Sequence, residues 1–264
     1  MATDIAHAAP LLTHFRDACT NHAFCHSLLQ AQQADMQSVS VHTTGLLTRR
    51  GTVPYTVYVL SICCPATHTW WILRQRYSQF HAFRKELLQL RAFAQRQPSL
   101  APLERILAPV LAAPFPKKKF TGDTVAIKAE RSVLLAGFAK LLVVLRVACM
   151  SQALLKTHAP DLLFRLTLLY LQLDAFLDVP DHQVEEEMRR TARLLSPHDI
   201  VLGGTATVVS NDDVLECAIC MEEVVADALA LTCGHVFHRP CLFSWFNVKT
   251  SCPTCRRECK YGHV

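Results

Sequence analysis

Cys217-Ala218-Ile219-Cys220, Cys233-Gly234-His235, His238-Arg239-Pro240-Cys241 and Cys252-Pro253-Thr254-Cys255 follow one another near the end of a 264-residue chain. Written as spacings, the run is Cys217-x2-Cys220-x12-Cys233-x-His235-x2-His238-x2-Cys241-x10-Cys252-x2-Cys255. Eight nitrogen and sulfur donors are what two four-coordinate structural Zn²⁺ sites require, and each Cys-x2-Cys pair sets two sulfurs on one turn. A segment this short buries little apolar surface, so metal binding has to supply most of its folding free energy. The chain holds 12 cysteines. Cys19, Cys25, Cys63, Cys64 and Cys149 lie far from the cluster and read as small, buried side chains. Cys259, just beyond it, is left without a role.

The order Cys-Cys-Cys-His-His-Cys-Cys-Cys resembles the RING family in its two-histidine variant, from Val214 to about Arg257. A PHD finger carries its single His at the fifth ligand, a LIM module places a His third, and a FYVE domain needs a basic stretch missing here. The resemblance implies a cross-brace: Cys217, Cys220, His238 and Cys241 around one zinc, Cys233, His235, Cys252 and Cys255 around the other. It also implies a ubiquitin ligase that docks a conjugating enzyme. Ile219, Trp245 and Pro253 occupy the family's groove positions, with Trp245 on a short helix Leu242–Phe246. The competing reading of Ile219 and Trp245 is packing within the domain itself. Arg256, after the last ligand, matches the position that bridges the conjugating enzyme and its ubiquitin, a role suited to a guanidinium fork. All cysteines of the cluster are committed as ligands, so no covalent ubiquitin intermediate is expected and catalysis would be positional.

Outward from the cluster, the texture from Gln37 to Ile72 is β-branched and aromatic. Ser38–Val41, Tyr55–Leu60 and Thr69–Leu73 read as strands of a three-stranded antiparallel meander. The period then becomes helical: Phe80, Phe83, Leu87, Leu88 and Leu90 share one face between Ser78 and Ala94. A proline-bearing loop is expected from Pro98 to Gly122, and two helices over Val125–Met150 and Asp161–Phe176. The fold class is therefore α+β plus a small two-zinc domain. Residues 1–36 read as a helical or partly ordered leader, 37–175 as the larger domain, and 176–213 as an acidic linker with helical character between Gln183 and Leu195. Residues 214–258 are the zinc domain and 259–264 a tail. There are no internal repeats.

Within the larger domain, Arg76-Tyr77-Ser78-Gln79-Phe80, Pro114-Phe115-Pro116-Lys117-Lys118-Lys119 with Gly122, and Glu130-Arg131 are similar to the phox-homology (PX) family pattern. The resemblance implies a phosphatidylinositol 3-phosphate pocket. Arg76 would hold the 3-phosphate, Tyr77 would stack under the inositol ring, Lys118 would contact the 1-phosphate and Arg131 the 4- and 5-hydroxyls. Leu103, Ile106, Leu107, Val110 and Leu111 would be either a membrane-dipping element or a core helix.

With 51% hydrophobic and 19% charged residues, the chain can build a core and is not disordered throughout. The net charge of +5, from 27 Lys+Arg against 22 Asp+Glu, permits an anionic partner without demanding one. The basic residues form small clusters, which speaks against nucleic acid. The N-terminus has no basic start before an apolar stretch, so no signal peptide is expected. No run is read as a transmembrane segment; Val133–Met150 is interrupted by Lys140 and Arg146. Together the two resemblances imply a cytoplasmic ligase, peripheral on phosphoinositide-bearing membranes expected to be endosomal. Its partners would be a conjugating enzyme, ubiquitin and a protein substrate the sequence does not name. The alternative is a non-enzymatic phosphoinositide-binding zinc adaptor.

Overall fold

A computed structural model describes residues 38–50, 53–119, 123–153, 159–195, 215–225 and 227–264; the leader, and Thr121 and Gly122 of the basic motif, lie outside them. The chain is mixed α/β and divides into two units: Met1–Ile62 with Leu73–Val179, and Cys63–Ile72 with Pro180–Val264.

Strands β1 (Ser40–Arg50), β2 (Val53–Cys64) and β3 (Thr69–Arg76) are neighbours in that order. Each is longer than its sequence signal. From Tyr58 to Cys64, and from Thr69 to Leu73, every side chain is buried, so alternation fades where both sheet faces are covered. A single 3-10 turn, Pro65–Thr67, joins β2 to β3 and closes at His68 with φ 53°.

In the first unit β3 runs directly into α1 (Tyr77–Ala94), whose start is capped where the Arg76 N–H donates to Gln79 Oε1 at 2.8 Å. Its buried face is Phe80, Phe83, Leu87 and Ala94. Leu88, expected on that face, is 39% exposed. The expected loop after Pro98 contains a helix instead, α2 (Ala101–Ala112). Pro102 sits in its first turn, where a missing N–H costs nothing, and Pro109 lies on its exposed side. Leu103, Leu107, Val110 and Leu111 are buried, which resolves the open choice for this segment toward a core helix.

Helix α3 (Val125–Ala153) packs against β1, α2 and α4 (Pro160–Leu177). By length and composition it is able to cross a membrane, with a mean hydropathy of 2.2 over 18 residues, contrary to the expectation that no run qualifies. Yet 56% of that window is buried inside the fold. Arg146 within it is 1% exposed, ion-paired to Asp174, and donates to the Tyr170 hydroxyl at 2.7 Å. A buried guanidinium tolerates that position only because it is paired. Phe176 of α4 stacks on Phe83 of α1 at 4.1 Å between centroids and meets Phe80 edge-on at 5.2 Å.

The second unit gathers the β2–β3 turn, α5 (Asp181–Leu195) and the C-terminal zinc segment. Helix α5 lies in the stretch read as an acidic linker. Its Gln183 is fully buried, its Oε1 accepting from Thr67 and Thr69 hydroxyls and its Nε2 donating to Glu187 at 2.6 Å. Farther along come β4 (Ala228–Leu231), β5 (Val236–His238), α6 (Arg239–Phe246) and β6 (Tyr261–His263). Antiparallel β4 and β5 pair with Leu229 opposite Phe237. The expected tail holds β6, which pairs antiparallel with β4 through Leu231 and Gly262, and with β3 through Trp70 and Gly262. A Cβ at Gly262 would lie 2.0 Å from the Ala230 carbonyl oxygen, so only glycine fits this crossing.

Candidate zinc centres

The two Cys-x2-Cys turns share one backbone design. In the first, the Cys217 N–H donates to the Glu222 carbonyl at 2.8 Å and the Met221 N–H to the Cys217 carbonyl at 2.8 Å. In the second, Cys252 donates to the Arg257 carbonyl at 2.8 Å and Arg256 to the Cys252 carbonyl at 3.0 Å. The residue after each second cysteine is left-handed, Met221 at φ 62° and Arg256 at φ 61°. Isolated bridges close both, Glu216 to Glu223 and Ser251 to Glu258. The hydrogen-bonding pattern thus repeats where the sequence shows no repeat, because turning two sulfurs toward one point imposes the same backbone path on different residues.

Ligand atoms of Cys217, Cys220, His238 and Cys241 lie within 4.8 Å of one another, and so do those of Cys233, His235, Cys252 and Cys255. The tetrads interleave along the chain as the cross-brace expectation has it. β5 spaces the two histidines: His235 enters it and His238 ends it. Between β4 and β5 the turn is made at Gly234 (φ 85°), whose N–H donates to the Leu231 carbonyl at 2.9 Å. The Nδ1 atoms face the sulfurs, His238 Nδ1 at 3.3 Å from Cys220 Sγ and His235 Nδ1 at 3.4 Å from Cys233 Sγ. His238 Nε2 lies 3.1 Å from the Glu223 carbonyl, which only accepts, so Nε2 carries the proton and Nδ1 is left as ligand.

The thiols pull against each other electrostatically. Burial opposes ionisation of Cys217, but hydrogen bonds from the His238, Cys220 and Ile219 backbone bring it down to about 6. Burial first, then the neighbouring sulfurs Cys220 and Cys217, push Cys241 up to about 11. A divalent cation at the centre of each tetrad reconciles thiolates so closely set, and the sulfur–nitrogen donor set with tetrahedral numbers suits Zn²⁺. The geometry is that of two closed structural sites. Cys259 is outside both; it is 4% exposed and accepts from the Thr232 hydroxyl at 3.8 Å.

Among the non-ligand positions, Ile219 and Pro253 are partly exposed and Arg256 is exposed. Trp245 is partly buried on α6; its Nε1–H donates to the Ser251 carbonyl at 2.7 Å, tying the helix to the second cysteine turn. The ammonium of Lys249 lies 5.9 Å from its ring centroid.

In the first unit, two of the four residues expected to hold a headgroup, Tyr77 and Arg131, are in contact. Tyr77 donates through its hydroxyl to the Pro116 carbonyl at 2.9 Å, and the Arg131 guanidinium lies 3.9 Å from the Tyr77 ring centroid. Arg76, its neighbour in sequence, stacks over Tyr55 at 3.4 Å. Arg131 is 5% exposed and ion-paired to Asp123. Lys118 stands on the exposed loop beyond Pro116. Sequence reasoning misses Tyr55 and Asp123. Tyr55 sits on β2 with no motif around it, and an acidic residue beside a basic cluster gives no signal of its own.

Compared with known proteins, residues 215–256 match the Ring finger domain family. The chain is 49% identical over 47 residues to RING-H2 finger protein ATL29 of Arabidopsis thaliana, a match covering 17% of this chain and 16% of that protein. No solved structure matches the chain. Residues 215–256 therefore form a RING-type finger with Cys/His clusters able to bind two zinc ions.

Proposed function

We propose that the chain is a RING-type E3 ubiquitin-protein ligase that works without a covalent ubiquitin intermediate. The observation carrying this reading is the set of non-ligand residues around the two tetrads. Arg256 is exposed immediately after the last ligand, and Trp245 is held on α6 by its hydrogen bond to Ser251. Zinc would hold the fold and take no part in the transfer. Ile219, Trp245 and Pro253 would dock a conjugating enzyme charged with ubiquitin. Arg256 would bridge the enzyme and its ubiquitin through several donors at once, holding the thioester in the geometry a substrate lysine attacks. Autoubiquitination with purified activating and conjugating enzymes tests this: zinc-dependent ubiquitin chains are expected, and their absence with every conjugating enzyme tried would sink the ligase reading in favour of a zinc adaptor.

The contact between Tyr77 and Arg131, with Arg76 next to Tyr77 in sequence, supports a second element of the proposal. This PX-like unit would bind phosphatidylinositol 3-phosphate through those residues and Lys118, bringing the ligase to endosomal membranes as a peripheral protein. Arg131 would exchange its Asp123 carboxylate for inositol hydroxyls. Liposomes carrying that lipid should retain the full chain but not Arg76→Ala. Equal retention of both, or of neither, would leave this unit as a protein-interaction scaffold.

A further inference from the structure

We propose that Trp70 is a positioning residue for α6, the helix carrying Trp245, so that the start of β3 belongs to the ligase module. The proposal deepens the ligase reading and rests on it.

Trp70 is fully buried. Its ring lies 5.7 Å from that of Phe246, tilted by 42°, and 6.1 Å from that of Phe243 at 67°. Both phenylalanines are on α6, and Phe246 is fully buried. The Trp70 Nε1–H donates to the His263 carbonyl at 3.1 Å, which fixes the indole in rotation. Opposite Trp70 on β6 stands Gly262, where an added Cβ would lie 3.1 Å from the indole. Glycine lets the ring lie close over β6 and reach the helix.

Helix α6 has 8 residues, about two turns, too short to hold its own geometry in water. Its N-terminal end is fixed by His238 and Cys241 of the first tetrad. Its C-terminal end, where Trp245 projects, has no ligand. Aromatic contact with Trp70 anchors that end through Phe246, the residue next to Trp245. Rotation of the last turn would move the Trp245 indole away from Ser251. Trp70 itself does not touch the bound conjugating enzyme; it acts through Trp245.

The experiment uses the full chain. Discharge of ubiquitin from a charged conjugating enzyme onto free lysine is followed while that enzyme is titrated, for wild type, Trp70→Leu and Trp70→Phe, with zinc content measured by mass spectrometry. Trp70→Leu with both zinc ions bound is expected to raise KM for the charged enzyme about tenfold with kcat little changed, and Trp70→Phe to restore most of it. A merely structural role would lower the active fraction, and thus kcat, at constant KM; that outcome, or unchanged kinetics, overturns the proposal. Should Trp70→Leu lose zinc, the ¹⁵N-indole resonance of Trp245 in zinc-loaded Trp70→Met, which fills the site without an aromatic ring, decides, with a shift expected and an unmoved signal fatal. The same resonance answers even if wild type supports no transfer, in which case the ligase reading fails separately.

Discussion

The two cysteine turns of the RING finger have the same hydrogen bonds, the same left-handed residue and the same closing bridge, yet opposite chemistry on their surfaces. The first carries Glu216, Met221, Glu222 and Glu223; the second carries Arg256, Arg257 and Glu258. Met221 is 71% exposed at the position where the other turn has Arg256. Metal geometry dictates backbone and ligands and is indifferent to the side chain at that position. A guanidinium there is not a folding requirement: one turn has it and the other does not.

Removing a ligand tests the shared part and should have the largest effect. Cys217→Ser and Cys252→Ser are each expected to cost one zinc ion and most of the finger's stability, on the order of 10 kcal/mol of coupled folding free energy per site. Native mass spectrometry and circular dichroism would show it. If one variant kept both ions, the two turns would not be equivalent.

Exchanging the unshared residue comes next. Arg256→Ala should slow lysine discharge about tenfold, or about 1.4 kcal/mol, with conjugating-enzyme affinity largely kept, whereas Met221→Ala should change neither. Equal effects would erase the distinction between the turns.

Glycine separates backbone from side chain. At φ near +60° a non-glycine residue is strained, so Met221→Gly and Arg256→Gly should each stabilise the finger by about 0.5 kcal/mol, seen as a higher Tm. Arg256→Gly should gain stability while losing transfer, and Met221→Gly should gain stability alone.

The smallest effect concerns the strand beyond the second turn. β6 ends at His263, whose imidazole lies 4.4 Å from that of His182, edge to face. Burial, then the charges of His182 and His68, hold His263 below the usual imidazole range, and Glu186 opposes them. Because the neutral form is favoured in the folded state, its stabilising contribution is full above about pH 6.5 and fades as pH falls through the lowered value. The protection factor for hydrogen exchange at Gly262 should therefore fall on acidification, with no matching change at Val224 after the first turn.

What is legible in the sequence tracks the range of the forces involved. The zinc ligands can be read because tetrahedral coordination fixes short spacings. Helix α1 can be read from Phe80, Phe83 and Leu87, which recur at its period. Helix α2 is hidden because Pro102 and Pro109 read as loop punctuation, and only burial of Leu103 and Leu107 shows that the helix forms around them. β6 reads as a tail because Tyr261-Gly262-His263 has no strand pattern; its pairing with Trp70 is purely long-range. Candidate headgroup residues Arg76, Tyr77 and Arg131 stand out by their order along the chain, while their structural partners Tyr55 and Asp123 carry no motif.

The hydrogen bond from Trp70 to His263 joins residues 193 positions apart. On a ribosome, the strand bearing Trp70 emerges while β6 and α6 are still unmade. Until then one edge of β3 and a large indole stand uncovered, a surface on which nascent chains pair wrongly or recruit a chaperone. Residues 261–263 therefore close the module, and deleting them would remove no zinc ligand while stranding the edges of β3 and β4.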